Sequence, residues 1–297
     1  YFFKEEDLHR QIGNFLVDFF GEEARTKGAL VLQDIEQHYG LIVRRSQYAF
    51  SFSHLTFMEY FTAQYVVDKA LGGAVNALIE SHFRDDRWLE MFILTAGKLG
   101  HGADAFVQQM QMKNREVLRE VPELEEIMRV VQSSILPINS QYPREGREAM
   151  AVFIAFANFS AVARGLAVSH GGFSIARSLA LEVAKNINKK LFDDLEVSFC
   201  REFDLELYHD LDFAHSLALS LGSPHNPDYS LSRFLDLDYY KLEAFNRIYN
   251  FNTHNLRKIS TYLKGNLWLV KCLNSGATIS TKVRELVLAG LFKPEGE

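Results

Sequence analysis

The sequence has little cysteine, no long apolar run and no block of like charges. Two cysteines in 297 residues supply neither a disulfide framework nor a metal framework, which favours a reducing compartment over secretion. The apolar run at residues 149–157 is about half the length needed to cross a bilayer. The 32 basic and 38 acidic residues are mixed along the chain, and the net charge of -6 argues against nonspecific nucleic-acid binding. The composition predicts a cytoplasmic protein that does not span a membrane.

A phosphate-binding loop is also missing from the sequence. The pattern G-x-x-x-x-G-K-[ST], whose backbone amides and lysine hold phosphates in P-loop NTPases, does not occur. The chain starts at Tyr1 rather than methionine and lacks the basic, apolar and small-residue succession of a signal peptide. These features predict a non-enzymatic part of a longer protein.

The first fifty residues carry the pattern of two helices and a hairpin. Residues 5–20 have apolar residues at helical spacing and end at Gly21. Residues 26–39 predict a second helix that ends at Gly40. Its expected inward residues are Leu30, Val31, Ile35 and Tyr39. Residues 41–44 and 48–52 predict two short strands, and this order of elements is typical of a winged helix.

Charge argues against DNA recognition by this winged helix. The second helix, which would have to approach the phosphates, carries Asp34 and Glu36. The wing offers one basic pair, Arg44 and Arg45. We therefore expect no nucleic-acid partner.

Residues 50–65, FSFSHLTFMEYFTAQY, are the most informative stretch. Phe50 and Phe52 alternate with serines, as in a strand, and helical spacing begins at Leu55. The predicted helix is apolar over much of its circumference, so we expect it to be buried. His54 stands at its first turn, where the positive end of a helix favours an anion.

The rest of the chain consists of helical segments separated by glycine, proline, asparagine or aspartate. The predicted fold class is mainly α: a winged-helix domain with a small β-hairpin, followed by a helical-hairpin or superhelical C-terminal region. The predicted domains are a winged helix at residues 1–70, a helical domain at 71–140 and a C-terminal α-helical sensor domain at 141–297. A linker is expected within residues 135–148, where proline, glycine and charge concentrate.

The F-x-F-x-H-x-T-F-x-E-Y-F-x-A pattern of residues 50–63 resembles the end of the winged-helix domain in NACHT-type STAND NTPases. This group includes the NOD-like receptors and their bacterial relatives. Residues 87–100 look like the first helices of the helical domain that follows in the family. Residues 264–292 resemble the C-terminal helices of bacterial NACHT proteins. Their matching points are Cys272, Leu273, Asn274 and Arg284.

This resemblance implies a regulatory and ligand-sensing region that holds an ADP-bound resting state and triggers oligomerisation in bacterial antiphage defence. His54 is the implied cofactor-binding residue, because the matching histidine of the family contacts the β-phosphate of ADP. No catalytic or metal-binding residue is predicted. ADP or ATP with Mg would bind the full-length protein rather than this part. The expected partners are its own N-terminal NACHT domain, an unknown activating ligand or phage protein, and further copies on activation.

Two other functions stay open at the level of the sequence. Stacked helical pairs are typical of a protein-binding scaffold without any nucleotide. The pair His209 and Asp210 is also the centre of HD-type metal phosphohydrolases, although His209 and His215 do not share a helix face. His54 has a structural alternative as well, an imidazole bonded to a backbone carbonyl.

Overall fold

The computed structural model describes residues 2–136, 140, 142–162, 170–190 and 253–294. The chain forms two compact units, Tyr1–Asp68 (unit 1) and Lys69–Glu297 (unit 2). The division into three domains made from the sequence stays a prediction.

Unit 1 contains three strands and three α-helices. In chain order they are β1 (Phe3–Lys4), α1 (Glu5–Phe20), α2 (Gly28–Asp34), β2 (Ile42–Ser46), β3 (Ala49–Phe52) and α3 (Leu55–Asp68). The strands form an antiparallel sheet in the order β1-β3-β2. This arrangement confirms the predicted winged helix. Strand β1 escaped prediction because two residues are too few for an alternating pattern.

The core of unit 1 is small and depends on a close approach of α1 to the segment that follows it. Leu8, Leu32 and Phe50 are buried together. A Cβ atom at Gly28 would lie 2.3 Å from the carbonyl oxygen of His9, and one at Gly13 would lie 2.5 Å from that of Arg25. Only glycine fits at these two contacts, because the obstructing atoms belong to the backbone.

The inward face predicted for the second helix is wrong in part. Leu30 and Tyr39 are exposed, and Leu32 is the large apolar residue that α2 buries. The physical reason is that α2 is short: a 3-10 helix (Glu22–Lys27) precedes it and a π-helical turn (Ile35–Tyr39) follows it. Each change of pitch rotates the later side chains away from the positions that a period of 3.6 predicts.

The described part of unit 2 is helical, which confirms the predicted mainly α class. Its helices are α4 (Ala74–His82), α5 (Leu89–Lys98), α6 (Ala103–Glu120), α7 (Pro122–Ser134), α8 (Arg144–Val162), α9 (His170–Ile187), α10 (Thr253–Leu273) and α11 (Thr281–Ala289). Helix α10 packs against α5, α6 and α9 and so joins distant parts of the chain.

An aromatic cluster forms the centre of unit 2. The buried ring of Trp268 on α10 lies 5.1 Å from that of Phe92 and 5.7 Å from that of Phe83, both in edge-on geometry. Phe106 stacks on the far side of Phe92 at 5.8 Å. Edge-on aromatic pairs of this kind add to the stabilisation from burial.

Polar side chains hold the end of α11 against the other helices. Leu291 offers its carbonyl oxygen to Asn266 Nδ2 at 2.8 Å and to the Tyr262 hydroxyl at 2.5 Å. Gln111 donates to the carbonyl oxygen of Val287 at 2.8 Å, and Gln132 donates to that of Phe292 at 3.0 Å. These bonds satisfy one carbonyl group in the last turn of the helix and two in the segment that follows it, so this end of α11 packs without leaving those groups unpaired.

The linker expected within residues 135–148 is shorter than predicted. Helix α8 begins at Arg144, so residues 144–148 are helical, while residues 137–139 and 141 lie outside the described part. The helix extends into the charged sequence because Glu148 forms an ion pair with Arg144, one turn earlier. The Nε atom of Arg144 lies 2.8 Å from the Oε1 atom of Glu148.

Glu148 is expected to make stability depend on pH. Its side chain is 2% exposed, and its Oε2 has no hydrogen-bond partner among the residues that the structure describes. Burial raises the pKa of Glu148 above the ordinary value of 4.5, against the lowering by Arg144. As pH rises, the carboxyl group of Glu148 therefore loses its proton in the unfolded chain before it does so in the folded chain. The free energy of unfolding decreases between the pKa of Glu148 in the unfolded chain and its higher pKa in the folded chain.

The variant Glu148→Gln should lack this fall, because it keeps the shape of the side chain but has no proton to lose. Urea unfolding at pH 4.5 and pH 7, followed by tryptophan fluorescence, compares the two chains. Glu90→Gln, at an exposed carboxylate of α5, is the control and should keep the wild-type pH dependence. An identical pH dependence for wild type and Glu148→Gln would contradict the assignment.

Candidate functional site

His54 lies in the turn between β3 and α3 with its side chain exposed. The backbone amide of Ser53 donates to the carbonyl oxygen of Leu41 at 2.9 Å, which fixes this turn to the residue before β2. The amide of Phe57 donates to the carbonyl oxygen of His54 at 3.2 Å and so closes the first turn of the helix. The sheet and the helix therefore position His54 from both sides.

The imidazole of His54 makes an edge-on contact with the ring of Phe57, with centroids 6.0 Å apart. Among the residues that the structure describes, none hydrogen-bonds the imidazole. The structural alternative for this residue, a bond to a backbone carbonyl, is therefore not observed there. Both ring nitrogens are available to a ligand.

The start of α3 also lacks a side-chain cap from Ser53. Serine is a common N-cap, but the hydroxyl of Ser53 is buried and has no hydrogen-bond partner in the described part of the chain. This 14-residue helix presents the positive end of its dipole at the turn. An anion near His54 would meet a favourable field from the backbone.

A cavity of about 480 Å³, here called the wing pocket, opens beside this turn. Its volume lies within the range of ligand sites, roughly 300–1,000 Å³. Its apolar lining consists of Phe2, Phe52, Leu55 and Met58. Its polar lining consists of Arg45, Ser51 and Ser53. His54 does not line the wing pocket, so the histidine and the cavity are separate features of one turn.

The two arginines of the wing differ in their partners. Arg44 donates to both carboxylate oxygens of Glu5, at 2.9 and 3.0 Å, and its guanidinium stacks 4.4 Å above the Phe50 ring. This hydrogen bond lowers the pKa of Glu5. Arg44 is thus occupied within the domain, and one member of the basic pair is unavailable to a phosphate backbone.

An irregularity in the pairing of β2 with β3 directs the side chain of Arg45 differently from that of Arg44. Arg44 pairs with Phe50 and Ser46 with Ala49, so Arg45 is the extra residue of a bulge. Its Nε donates to the hydroxyl of Ser51 at 2.9 Å beside the wing pocket, and no carboxylate of the described part pairs with it. Sequence reasoning gave Arg45 no role here, because a bulge leaves no clear signal in a five-residue strand.

Helix α3 leaves all of its aromatic side chains partly exposed, so the prediction that it is buried is wrong. Only Ala63 and Val66 are buried in it. Its large exposed residues are Leu55, Phe57, Tyr60, Phe61 and Tyr65. The physical reason is that unit 1 has one small core under β3, which cannot cover a helix that is apolar on several sides.

The C-terminal matching points form a structural junction between α10 and α11. Arg284 donates to Asn274 Oδ1 at 3.4 Å and to the carbonyl oxygen of Leu273. Cys272 is buried, and burial raises the pKa of its thiol to about 12. The thiol therefore stays protonated and acts as a small apolar residue.

The residues of the phosphohydrolase alternative, His209, Asp210 and His215, lie outside the described residues. Within the described ranges, no group of three or more histidine, cysteine, aspartate or glutamate side chains is placed to hold a metal ion. A search of the same ranges for a helix long and apolar enough to cross a membrane finds none.

The three-stranded sheet, the helices around it and the hairpin wing define unit 1 as a winged-helix domain. Residues 9–66 match the family model of the winged helix-turn-helix domain C-terminal to NACHT, and unit 1 is a domain of this family. The match confirms the resemblance seen in the sequence and implies association with an N-terminal NACHT domain. Comparisons with curated proteins and with solved structures give no significant match.

Proposed function

We propose that this chain is the regulatory and ligand-sensing region of a cytoplasmic NACHT NTPase in bacterial antiphage defence. The winged helix holds the ADP-bound resting state through His54. The helical unit binds an activating ligand or phage protein, and release of the resting state permits oligomerisation. Binding that favours the open state shifts the population by its difference in affinity for the two states.

The observation that carries this proposal is the presentation of His54. Its imidazole is exposed at the positive end of α3 and is unbonded within the described part of the chain. A neutral imidazole there can donate one N–H to a phosphate oxygen, in a field that favours the negative charge. The phosphates themselves and Mg would be held by a P-loop in the NACHT domain, and no reaction is assigned to this chain.

The exposed face of α3 supports the same proposal. Large apolar surfaces on soluble domains mark sites of interaction. We assign the NACHT domain as the partner that covers Phe57, Phe61 and Tyr65, because the matched family lies C-terminal to that domain. Contact there would place the start of α3, and His54 with it, beside the nucleotide.

Nucleotide retention in the protein that includes the NACHT domain tests this role. His54→Ala should weaken ADP binding by about tenfold to a hundredfold, since a hydrogen bond to a charged group contributes roughly 1.5–3 kcal/mol. ADP bound after purification and the dissociation rate of a fluorescent ADP analogue are the measurements. His38→Ala, at another exposed histidine of unit 1, should change neither quantity. Unchanged ADP retention and resting activity in His54→Ala would refute the role of His54.

A further inference from the structure

An exposed aromatic ridge runs along the C-terminal half of α1. It consists of Phe15, Asp18, Phe19 and Phe20. The rings of Phe15 and Phe19 lie 4.9 Å apart, and those of Phe19 and Phe20 lie 6.5 Å apart. Phe19 is 66% exposed, and the other two phenylalanines are as open to solvent. Such a continuous aromatic surface is costly to leave in water.

A single carboxylate stands within this ridge. Asp18 lies three residues after Phe15, so these two side chains share a helix face, and Asp18 borders the ring of Phe19 along the chain. It is exposed and has no ion pair among the described residues. The ridge therefore presents aromatic rings around one unpaired negative charge.

The wing pocket is also apolar, but it carries the opposite charge. Phe52, Leu55 and Met58 give it an apolar floor, and Arg45 supplies one guanidinium that has no carboxylate partner in the described chain. The buried hydroxyl of Ser53 is a further polar group that no described residue hydrogen-bonds. The pocket is suited to an apolar group that carries a negative charge beside it.

The ridge cannot enter the pocket of its own copy. Phe2 lines the pocket and precedes α1, whereas Phe19 lies at the far end of the same helix. Fourteen residues separate Glu5 from Phe19, which is about 21 Å of helix at 1.5 Å per residue. The two complementary surfaces are at opposite ends of a rigid element.

We propose that the aromatic ridge of one copy of this chain docks in the wing pocket of a second copy, with Asp18 paired to Arg45. The contact joins two different surfaces, so each pair keeps one free ridge and one free pocket and further copies can add. This interface rests on the oligomerisation in the proposed function, and it specifies the two surfaces through which copies of the chain would associate. It needs no nucleotide, so its failure can be told apart from a failure of the His54 role.

Sedimentation velocity of the 297-residue chain over a range of concentrations tests the interface. The weight-average mass should rise with concentration in the wild type. Arg45→Glu and Asp18→Arg should each weaken association by about tenfold or more, because each turns an attractive pair into a repulsive one. The double variant, with the charges exchanged, should associate again. Ile175→Ser and Leu286→Ser, at equally exposed apolar residues of unit 2, should associate like the wild type.

A mixing experiment tests whether the contact is head-to-tail. Arg45→Glu keeps its ridge, and Phe19→Ser keeps its pocket. Each variant alone should associate at least about tenfold more weakly than the wild type, and an equimolar mixture should form a one-to-one complex that does not grow. Circular dichroism checks that the variants fold, as expected for exposed side chains.

Three results would overturn this interface. The first is a wild-type chain that stays monomeric at every concentration, which would leave the ridge to another partner such as the NACHT domain. The second is a charge-exchanged variant that fails to associate. The third is an Arg45→Glu variant that associates alone as strongly as the wild type, as a symmetric contact between two ridges would allow.

Discussion

Gly28→Ala is expected to unfold unit 1 and leave unit 2 folded. The added methyl group would lie 2.3 Å from the carbonyl oxygen of His9, and this obstacle belongs to the backbone of α1. Relief therefore requires the two helices to separate, which opens the core around Leu8 and Leu32. We expect a loss of about 3 kcal/mol or more, at the upper end of overpacking costs. The gain of up to about 1 kcal/mol in helix propensity is too small to offset it.

The distribution of tryptophan makes this result measurable. Trp88 and Trp268 are the two tryptophans of the chain, and both belong to unit 2. Hydrogen exchange in peptides from residues 5–52 should accelerate in Gly28→Ala, while tryptophan fluorescence keeps its wild-type urea midpoint. Gly72→Ala is the control, because a Cβ at that position meets no atom within 4 Å. Wild-type exchange rates in Gly28→Ala would show that the helices are not in contact there.

Gly265→Ala is expected to destabilise unit 2 by about 3 kcal/mol or more, because it expels a buried amide from its hydrogen bonds. A Cβ at Gly265 would lie 1.8 Å from Asn114 Oδ1, and Asn114 is 1% exposed. Asn114 Nδ2 donates to the carbonyl oxygen of Tyr262 at 3.0 Å and to Asn266 Oδ1 at 2.8 Å. Displacement of this amide leaves several buried polar groups without partners.

A double-mutant cycle separates the clash from a general effect of alanine. Asn114→Ala removes the obstacle, so the loss in Gly265→Ala/Asn114→Ala should be clearly smaller than the sum of the two single losses. Urea unfolding followed by the fluorescence of Trp268 gives all four stabilities. Gly97→Ala, in α5 and 3.9 Å from its nearest neighbour, should be neutral or slightly stabilising. Additive losses in the cycle would contradict the direct contact.

Much of the N-terminal fold follows from the sequence because its signals are local. The helix predicted at residues 5–20 is α1, and the two predicted strands overlap β2 and β3. The turn at His54 is also where the sequence places it. These elements are set by spacing and by turn residues over a few positions, which a single sequence records.

The parts that escaped prediction depend on partners far along the chain. Whether α3 is buried is decided by what surrounds it and not by its own apolar residues. The fit of Gly265 against Asn114 joins positions about 150 residues apart, and neither residue type signals it. Arg45 reaches the wing pocket through a bulge, which appears only once β2 is paired with β3. The nucleotide role of His54 likewise came from a family resemblance and stays a prediction.

The contact of α10 with α6 affects the order in which the chain acquires structure during translation. Asn114 and Tyr262 are 148 residues apart, and ribosomes add about 5–20 residues per second. About 7 to 30 seconds therefore pass between the synthesis of α6 and the synthesis of α10, which packs against it. Strand β1, in contrast, pairs with β3, and both strands lie within residues 3–52. During that interval Phe92 and Phe106 lack the ring of Trp268. A nascent chain at this stage thus carries a complete winged-helix domain, followed by helices whose aromatic residues are not yet covered. These uncovered aromatic residues are a binding surface for chaperones.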